Sequence, residues 1–289
     1  MGTGEKTIMK ILVTGVKGQL GYDVMKVLRA RNVPCVGADL EQFDITDAEA
    51  ARTFIQNCAP DAVIHCSAYT AVDRAEENPE ACAAVNADGP RNIAEACKKI
   101  GAKMVYISTD YVFPGTGERA YETDDPKGPL NVYGRTKLGG EEAVRALLGR
   151  YFIIRISWVF GKNGSNFIRT MLRLGKEKEA VNVVCDQIGS PTYTADLAPL
   201  LCDMVTTEKY GTYHATNEGY CSWAELAAEV FRQAGYPTKV NPVPTSAYPA
   251  KAKRPFNSRL SKKSLDEAGF ERLPDWRDAV SRYLKELGE

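Results

Sequence analysis

Tyr133 and Lys137 stand four residues apart in the run Tyr133-Gly134-Arg135-Thr136-Lys137, a spacing that sets both side chains on one face of a helix. A phenol ordinarily has a pKa of about 10, and an ammonium beside it favours the phenolate. Such a tyrosine can pass a proton to or from a carbonyl or an alcohol near neutral pH. Tyr-x-x-x-Lys is common on its own, so its weight comes from its setting. Upstream lies Ser108-Thr109-Asp110-Tyr111-Val112-Phe113, at the end of a β-branched run. A hydroxyl there can hold a substrate oxygen opposite Tyr133. The alternative is a strand-end turn with local backbone hydrogen bonds.

A second chemical signal is the glycine run. Ile11-Leu12-Val13-Thr14 leads directly into Gly15-Val16-Lys17-Gly18-Gln19-Leu20-Gly21, which opens an amphipathic stretch. Strand, G-x-x-G-x-x-G and helix in that order indicate dinucleotide binding. Gly15 allows the tight turn, Gly18 lets backbone approach a pyrophosphate, and Gly21 permits close helix–strand packing. The pyrophosphate would lie on unpaired N–H groups at the helix start. Asp39 follows Gly21 by 18 residues, where a carboxylate can accept from the adenosine ribose and favour NAD. Lys17 pulls the other way, toward a ribose 2′-phosphate, so NADPH and NADH both stay open. Asp44, next to Ile45, either meets adenine or ties its own loop. Thr46 and Glu49 have capping-box spacing, as do Ser222 and Glu225. With a dinucleotide in place, Lys137 would also donate to the nicotinamide ribose.

Elements that would position these groups can be read from the pattern. Strands are predicted at Lys10–Thr14, Cys35–Ala38, Ala62–His65, Lys103–Ser108 and Tyr151–Ile156, with helical periodicity between them. Alternation of this kind gives βαβ units and a parallel sheet. The fold class is α/β: a doubly wound parallel-sheet (Rossmann) domain over 9–157, with a return segment near 185–215. A smaller C-terminal α/β substrate lobe covers most of 158–289. Helices are predicted near Asn166–Lys176, Thr194–Val205 and Ser222–Ala234, and the four prolines of Asn241–Pro255 suggest a long structured loop.

Composition narrows the function. A chain of 289 residues, at about 150 per domain, holds one large or two modest domains. Its 37 Lys and Arg balance 37 Asp and Glu, a poor match to nucleic acid. No apolar run approaches the roughly 18 residues of a membrane span. The first ten residues have no signal-peptide character, Lys6 breaks the myristoylation pattern, and Met9 is a candidate start behind a disordered leader at 1–8. Eight cysteines are scattered without a C-x-x-C pair, and the two histidines, His65 and His214, stand apart from any ligand cluster. No metal is expected, and the chain reads as cytoplasmic. His65 ends a strand and is read as structural, in preference to an acid/base.

Together these residues resemble the extended, sugar-nucleotide-acting branch of the short-chain dehydrogenase/reductase superfamily. Further stretches are similar to one family within it, the dTDP-4-dehydrorhamnose reductases: Ala68-Tyr69-Thr70-Ala71-Val72-Asp73-Arg74-Ala75-Glu76, Pro129-Leu130-Asn131-Val132-Tyr133, Arg155 and Ser157-Trp158-Val159-Phe160-Gly161. Others are Asn166-Phe167, Asp186-Gln187-Ile188-Gly189-Ser190-Pro191-Thr192, and Arg254-Pro255 with Ser258-Arg259-Leu260. The resemblance, from Met9 to the C-terminus, implies reduction of the 4-keto group of dTDP-4-dehydro-L-rhamnose to dTDP-L-rhamnose. Tyr133 would supply the proton, Thr109 would hold the substrate and Lys137 would tune Tyr133. It also implies that Gln19, Leu20, Ala68, Tyr69 and Thr70 join Gly15, Gly18, Gly21, Asp39, Asp44, Ile45, Tyr133 and Lys137 around NADPH or NADH. Asp110, Trp158 and Arg259 would hold the sugar nucleotide, although Trp158 is equally a core residue and Arg259 a surface ion pair. Gln187 is a substrate contact or a turn residue.

One departure is His65-Cys66-Ser67, where the family usually has Asn-Ala-Ala. Some members bridge two subunits through glutamate-held metal; no such set is evident in this chain, and a homodimer stays open. The alternatives are a non-catalytic dinucleotide-binding regulatory subunit, and an epimerase or dehydratase acting on another nucleotide sugar. A dehydratase would want an Asp-Glu pair beside Thr109, which Thr109-Asp110 lacks.

Overall fold

Short apolar runs joined by helices form a six-stranded parallel sheet in a computed structural model that describes residues 9–289. The leader expected over 1–8 lies outside the described residues. The first half runs β1 (Ile11–Thr14), α1 (Gln19–Ala30), β2 (Cys35–Ala38), α2 (Ala48–Cys58) and β3 (Ala62–His65). It continues through α3 (Val72–Glu77), α4 (Pro79–Ala83), α5 (Gly89–Ile100), β4 (Lys103–Thr109), α6 (Val132–Leu147) and β5 (Tyr151–Ile156). The chain then forms β6 (Val159–Phe160), α7 (Phe167–Glu177), β7 (Ala180–Val184), β8 (Ile188–Gly189), β9 (Thr192–Tyr193), α8 (Thr194–Met204) and β10 (Gly211–His214).

Across the sheet the order is β2-β1-β3-β4-β5-β10. All five pairings are parallel, with Val13 opposite both Gly37 and Ile64. Burial explains the sequence of these strands. Leu12, Val13, Val63, Ile64, Val105 and Ile154 have almost no exposed surface, as expected where helices cover both faces. Leu20, Val24, Leu28, Leu197 and Leu201 fill one face, and Ile55, Ile93, Cys97 and Val144 the other. The strand order reverses between β1 and β3, so the crevice outside their carboxyl ends is where a ligand binds in such a sheet.

A separate apolar core of Phe160, Ile168, Leu172, Val230, Phe231, Trp276 and Tyr283 builds the second lobe. The Ser222–Glu225 capping box forms as expected. Thr46 and Glu49 do not form one: Asp47 is the N-cap of α2, accepting from the Glu49 and Ala50 N–H groups at 2.9 and 3.0 Å. Asp47 is one residue nearer, and Thr46 already donates to Asp44 Oδ1. The proline-rich stretch is not all loop either. Lys239–Val243 pairs with β7; it is the edge of a two-stranded sheet, where Pro242 costs no ladder hydrogen bond.

Two buried histidines give this fold a pH signature. Burial, with the Lys137 charge nearby, pushes His65 down to about 3. Burial and Arg155 push His214 down to about 3 as well. Below an unfolded pKa of about 6.5 the unfolded chain takes up protons that the folded chain refuses. Stability from these groups is therefore full above that pH and falls as pH drops toward 3, by up to roughly 1.4 kcal/mol per pH unit for each histidine. Asp110, raised to about 6 by its own burial, opposes one of them between its folded and unfolded values. The melting temperature is expected to fall from neutral pH to about pH 4.5; a flat profile would contradict this balance.

Candidate active site

Thr109 is the last residue of β4 and Tyr133 the second of α6, so the sheet's carboxyl edge and a helix start meet there. Helix α6 begins at this point because Asn131 caps it, Oδ1 accepting from the Gly134 N–H at 2.8 Å. Gly134 is required by close approach: a Cβ there would lie 2.3 Å from the Tyr111 carbonyl oxygen. Tyr133 packs edge-on against Tyr111, ring centroids 5.4 Å apart. Both residues face one cavity of about 820 Å³ that runs from the glycine loop to Trp158 and Trp223.

Electrostatics at the pair are set mainly by burial. Burial raises the Tyr133 phenol above its ordinary value, and the hydrogen bond with Thr109 only partly opposes this. The Lys137 Nζ donates to the Ile107 carbonyl at 2.7 Å and sits 4.1 Å from the Tyr106 ring centroid. Burial lowers it to about 7, with Glu141 acting against the fall. Tyr133 therefore stands protonated, as a proton donor should.

Asp110 is buried beside them. Its carboxylate accepts from Thr109 Oγ1 at 2.9 Å and from the Ser258 hydroxyl. Ser258 comes from the second lobe and was not among the expected site residues. Side chains alternate along the extended segment Asn257–Ser258–Arg259: Ser258 turns to Asp110 behind the cavity wall, and Arg259 turns away. Arg259 is accordingly absent from the cavity wall and donates to Asn257 Oδ1 at 3.0 Å. Trp158 does line the cavity while stacking on Trp223 at 3.8 Å, with a backbone φ of 49°. It belongs to core and wall at once. Gln187 donates to Thr245 Oγ1 at 3.0 Å and does not reach the cavity.

The glycine loop makes a cradle that a dinucleotide fits. Gly15 has φ +71°, and a Cβ on it would fall 2.7 Å from the Ser67 nitrogen. A Cβ on Gly21 would fall 2.2 Å from the Gly15 carbonyl oxygen. Helix α1 follows Gly18 as its N-cap, with no side-chain cap and no acidic residue in its first turn, which leaves its N–H groups free for an anion. Gly15, Gly18, Gln19, Leu20, Asp39, Asp44, Ile45, Ala68 and Thr70 all line the cavity with Thr109, Asp110, Tyr133 and Lys137. Gly21 lies behind the loop. Tyr69 is likewise off the wall: its backbone exchanges two hydrogen bonds with the Asn86 side chain, and its ring packs on Ala75, Cys82 and Val132.

At the far end, Asp39 accepts from the Lys17 and Leu40 N–H groups at 3.0 and 3.1 Å, and Lys17 Nζ pairs with Glu41. Asp44 ties its loop through Thr46 while still facing the cavity. His65 Nδ1 meets Thr14 Oγ1 at 2.7 Å, and its burial keeps it neutral, which excludes it as an acid at neutral pH. Among the described residues no group of three or more His, Cys, Asp or Glu is arranged for a metal ion.

The family model described as the RmlD substrate binding domain matches residues 9–289. A dTDP-4-dehydrorhamnose reductase of Streptomyces griseus is 42% identical over 283 residues, covering 96% of this chain and 93% of that protein. The chain belongs to the dTDP-4-dehydrorhamnose reductase family. Solved family structures agree in shape. The reductase of Clostridium acetobutylicum superposes with a TM-score of 0.95 at 40% identity, covering 97% of this chain and all of that one. The reductase of Bacillus anthracis in complex with NADP gives 0.94 at 42% identity, covering 96% and 99%.

One prediction tests the cradle alone. Gly21→Ala forces the helix away from Gly15, so the melting temperature should drop, and in the folded variant NADPH affinity should fall by at least roughly tenfold. Unaltered affinity would mean the loop does not hold the pyrophosphate.

Proposed function

We propose that the chain reduces the 4-keto group of dTDP-4-dehydro-L-rhamnose, giving dTDP-L-rhamnose, the last step in making that activated sugar. NADPH or NADH is the reductant, and when bound its nicotinamide supplies the hydride. The observation that carries this reading is the placement of Thr109, Tyr133 and Lys137 in the wall of the cavity that the glycine loop opens. Backbone of Gly15–Gly21 and the start of α1 would hold the pyrophosphate. Asp39, Asp44 and Ile45 would take the adenosine end, and Ala68, Thr70 and Lys137 the nicotinamide half.

The residues' work follows from their protonation. As the keto carbon becomes tetrahedral its oxygen gains charge, and Tyr133 delivers a proton to it. Thr109 Oγ1, whose proton rests on Asp110, would turn that proton to the oxygen and fix it beside the phenol. Lys137, as an ammonium, stabilises the tyrosinate left behind. Trp158 and Asp110 shape the sugar pocket from the other side, with Ser258 holding Asp110 from behind.

The division into a dinucleotide domain at 9–157, a return segment near 185–215 and a substrate lobe over 158–289 belongs to the same proposal. The place of β10 in the sheet and the two separate cores support it. As a monomer or a homodimer, the chain carries all the cavity-lining residues itself. Among the described residues no helix is long and apolar enough to cross a membrane, and eight free cysteines fit a reducing, cytoplasmic setting.

The test is NADPH oxidation with dTDP-4-dehydro-L-rhamnose made in situ, NADH in parallel, and the product identified by mass. A sugar nucleotide two mass units heavier supports the reading. Absence of turnover with NADPH still bound would turn it toward the regulatory subunit, and turnover only on another keto sugar toward a different reductase.

A further inference from the structure

Behind the site lies a buried carboxylate that the mechanism above does not use. Glu141 follows Lys137 by four residues, as Lys137 follows Tyr133, so the three share one face of α6. It is fully buried. Ser108 Oγ donates to it at 2.6 Å, Arg155 Nε at 2.8 Å and Arg155 Nη2 at 2.7 Å. Arg145 approaches at 3.4 Å from a more exposed position. Three consecutive residues of β4 are thereby engaged: Ile107 holds Lys137, Ser108 holds Glu141, and Thr109 faces the cavity.

We propose that Glu141 is a positioning residue for the reduction, fixing the end of β4 against α6 and β5 and serving as countercharge to the Lys137 ammonium. This rests on the assignment of Tyr133 and Lys137 made above. A buried ion pair contributes little to stability compared with apolar side chains of similar volume, so a staple here would not need charge. Burial works against the Glu141 carboxylate, but Arg155 and Ser108 outweigh it and hold it below the ordinary value. Among the described residues it is also the only carboxylate that supports the charged form of Lys137. The other groups around that ammonium are His65, Cys66, Cys82, Tyr106 and Tyr133. Around Glu141 they are Arg155, Arg145, Lys127 and Tyr106, with His214 beyond Arg155.

Three variants of the full chain test this, with kcat, KM and NADPH Kd measured against pH. Activity that needs the ammonium is lost as pH rises through the Lys137 pKa. Glu141→Gln removes the opposing charge, so this alkaline limb moves to lower pH by about one unit. Turnover above the limb then falls about tenfold, with about threefold or less change below it and KM for the sugar nucleotide kept. Ser108→Ala keeps the charge and should lower kcat without moving the limb.

Glu141→Gln with Arg155→Met removes the whole pair. It should recover stability lost in the single variant yet keep the displaced limb, and it serves as the test if the single variant does not fold. A limb in the same place in a folded variant, or a uniform loss at every pH, would overturn the proposal and leave the reductase assignment standing. A wild-type chain without turnover would instead remove that assignment; the pH dependence of NADPH Kd would still report the Lys137 charge.

Discussion

Tyr133→Phe should bind NADPH as the wild type does and turn over its sugar nucleotide about 10² to 10⁴ times more slowly, the range of a lost general acid. Only one oxygen is removed. The ring keeps its edge-on contact with Tyr111, and the cap of α6 depends on Asn131 and Gly134, not on the phenol. Because burial keeps the phenol protonated, the variant loses a donor already in its working state at neutral pH. KM should change little, since Thr109 and the second-lobe wall remain. Stopped-flow NADPH oxidation alongside a fluorescence titration of NADPH separates turnover from binding. Equal loss of both would mean that Tyr133 holds the cofactor and that the proton comes from elsewhere.

Lys137→Ala should damage both quantities: kcat/KM by at least roughly a hundredfold and NADPH affinity by about tenfold. Lys137 is buried against Tyr106 and Ile107, and its truncation leaves the Ile107 carbonyl without its donor. Lys137→Met fills the same space without charge and is the cleaner form of the test. Its alkaline limb should vanish, because the group that titrates at about 7 is gone. Loss confined to kcat, with NADPH Kd unchanged, would contradict the double role.

Local physics made much of this site legible in advance. Tyr133 and Lys137 share a face because helical spacing requires it, and Gly15, Gly18 and Gly21 stand where a strand runs into a helix. What escaped the sequence is set by distant parts of the chain. Ser258 reaches Asp110 across 148 positions, and only alternation could have favoured it over its neighbour Arg259. Tyr69 sits in a motif on the cavity rim, yet the Asn86 side chain draws its backbone away. How far the Tyr133 hydroxyl is enclosed likewise depends on packing that no spacing encodes. Desolvation raises the phenol, while the Lys137 ammonium donates to the Ile107 carbonyl. Asp47 displaced Thr46 as a cap by a one-residue difference, a resolution that patterns of this kind do not reach.

The central claim is that this site moves a hydride onto C4 of a 4-keto sugar nucleotide and that Tyr133 completes the step with a proton. It is tested most directly with NADPH deuterated at the transferable position of its nicotinamide, followed by NMR of the sugar product. One deuterium at C4 in the wild type, with its appearance slowed at least about a hundredfold in Tyr133→Phe, is the expected result. Product free of deuterium, or carrying it at another carbon, would contradict it.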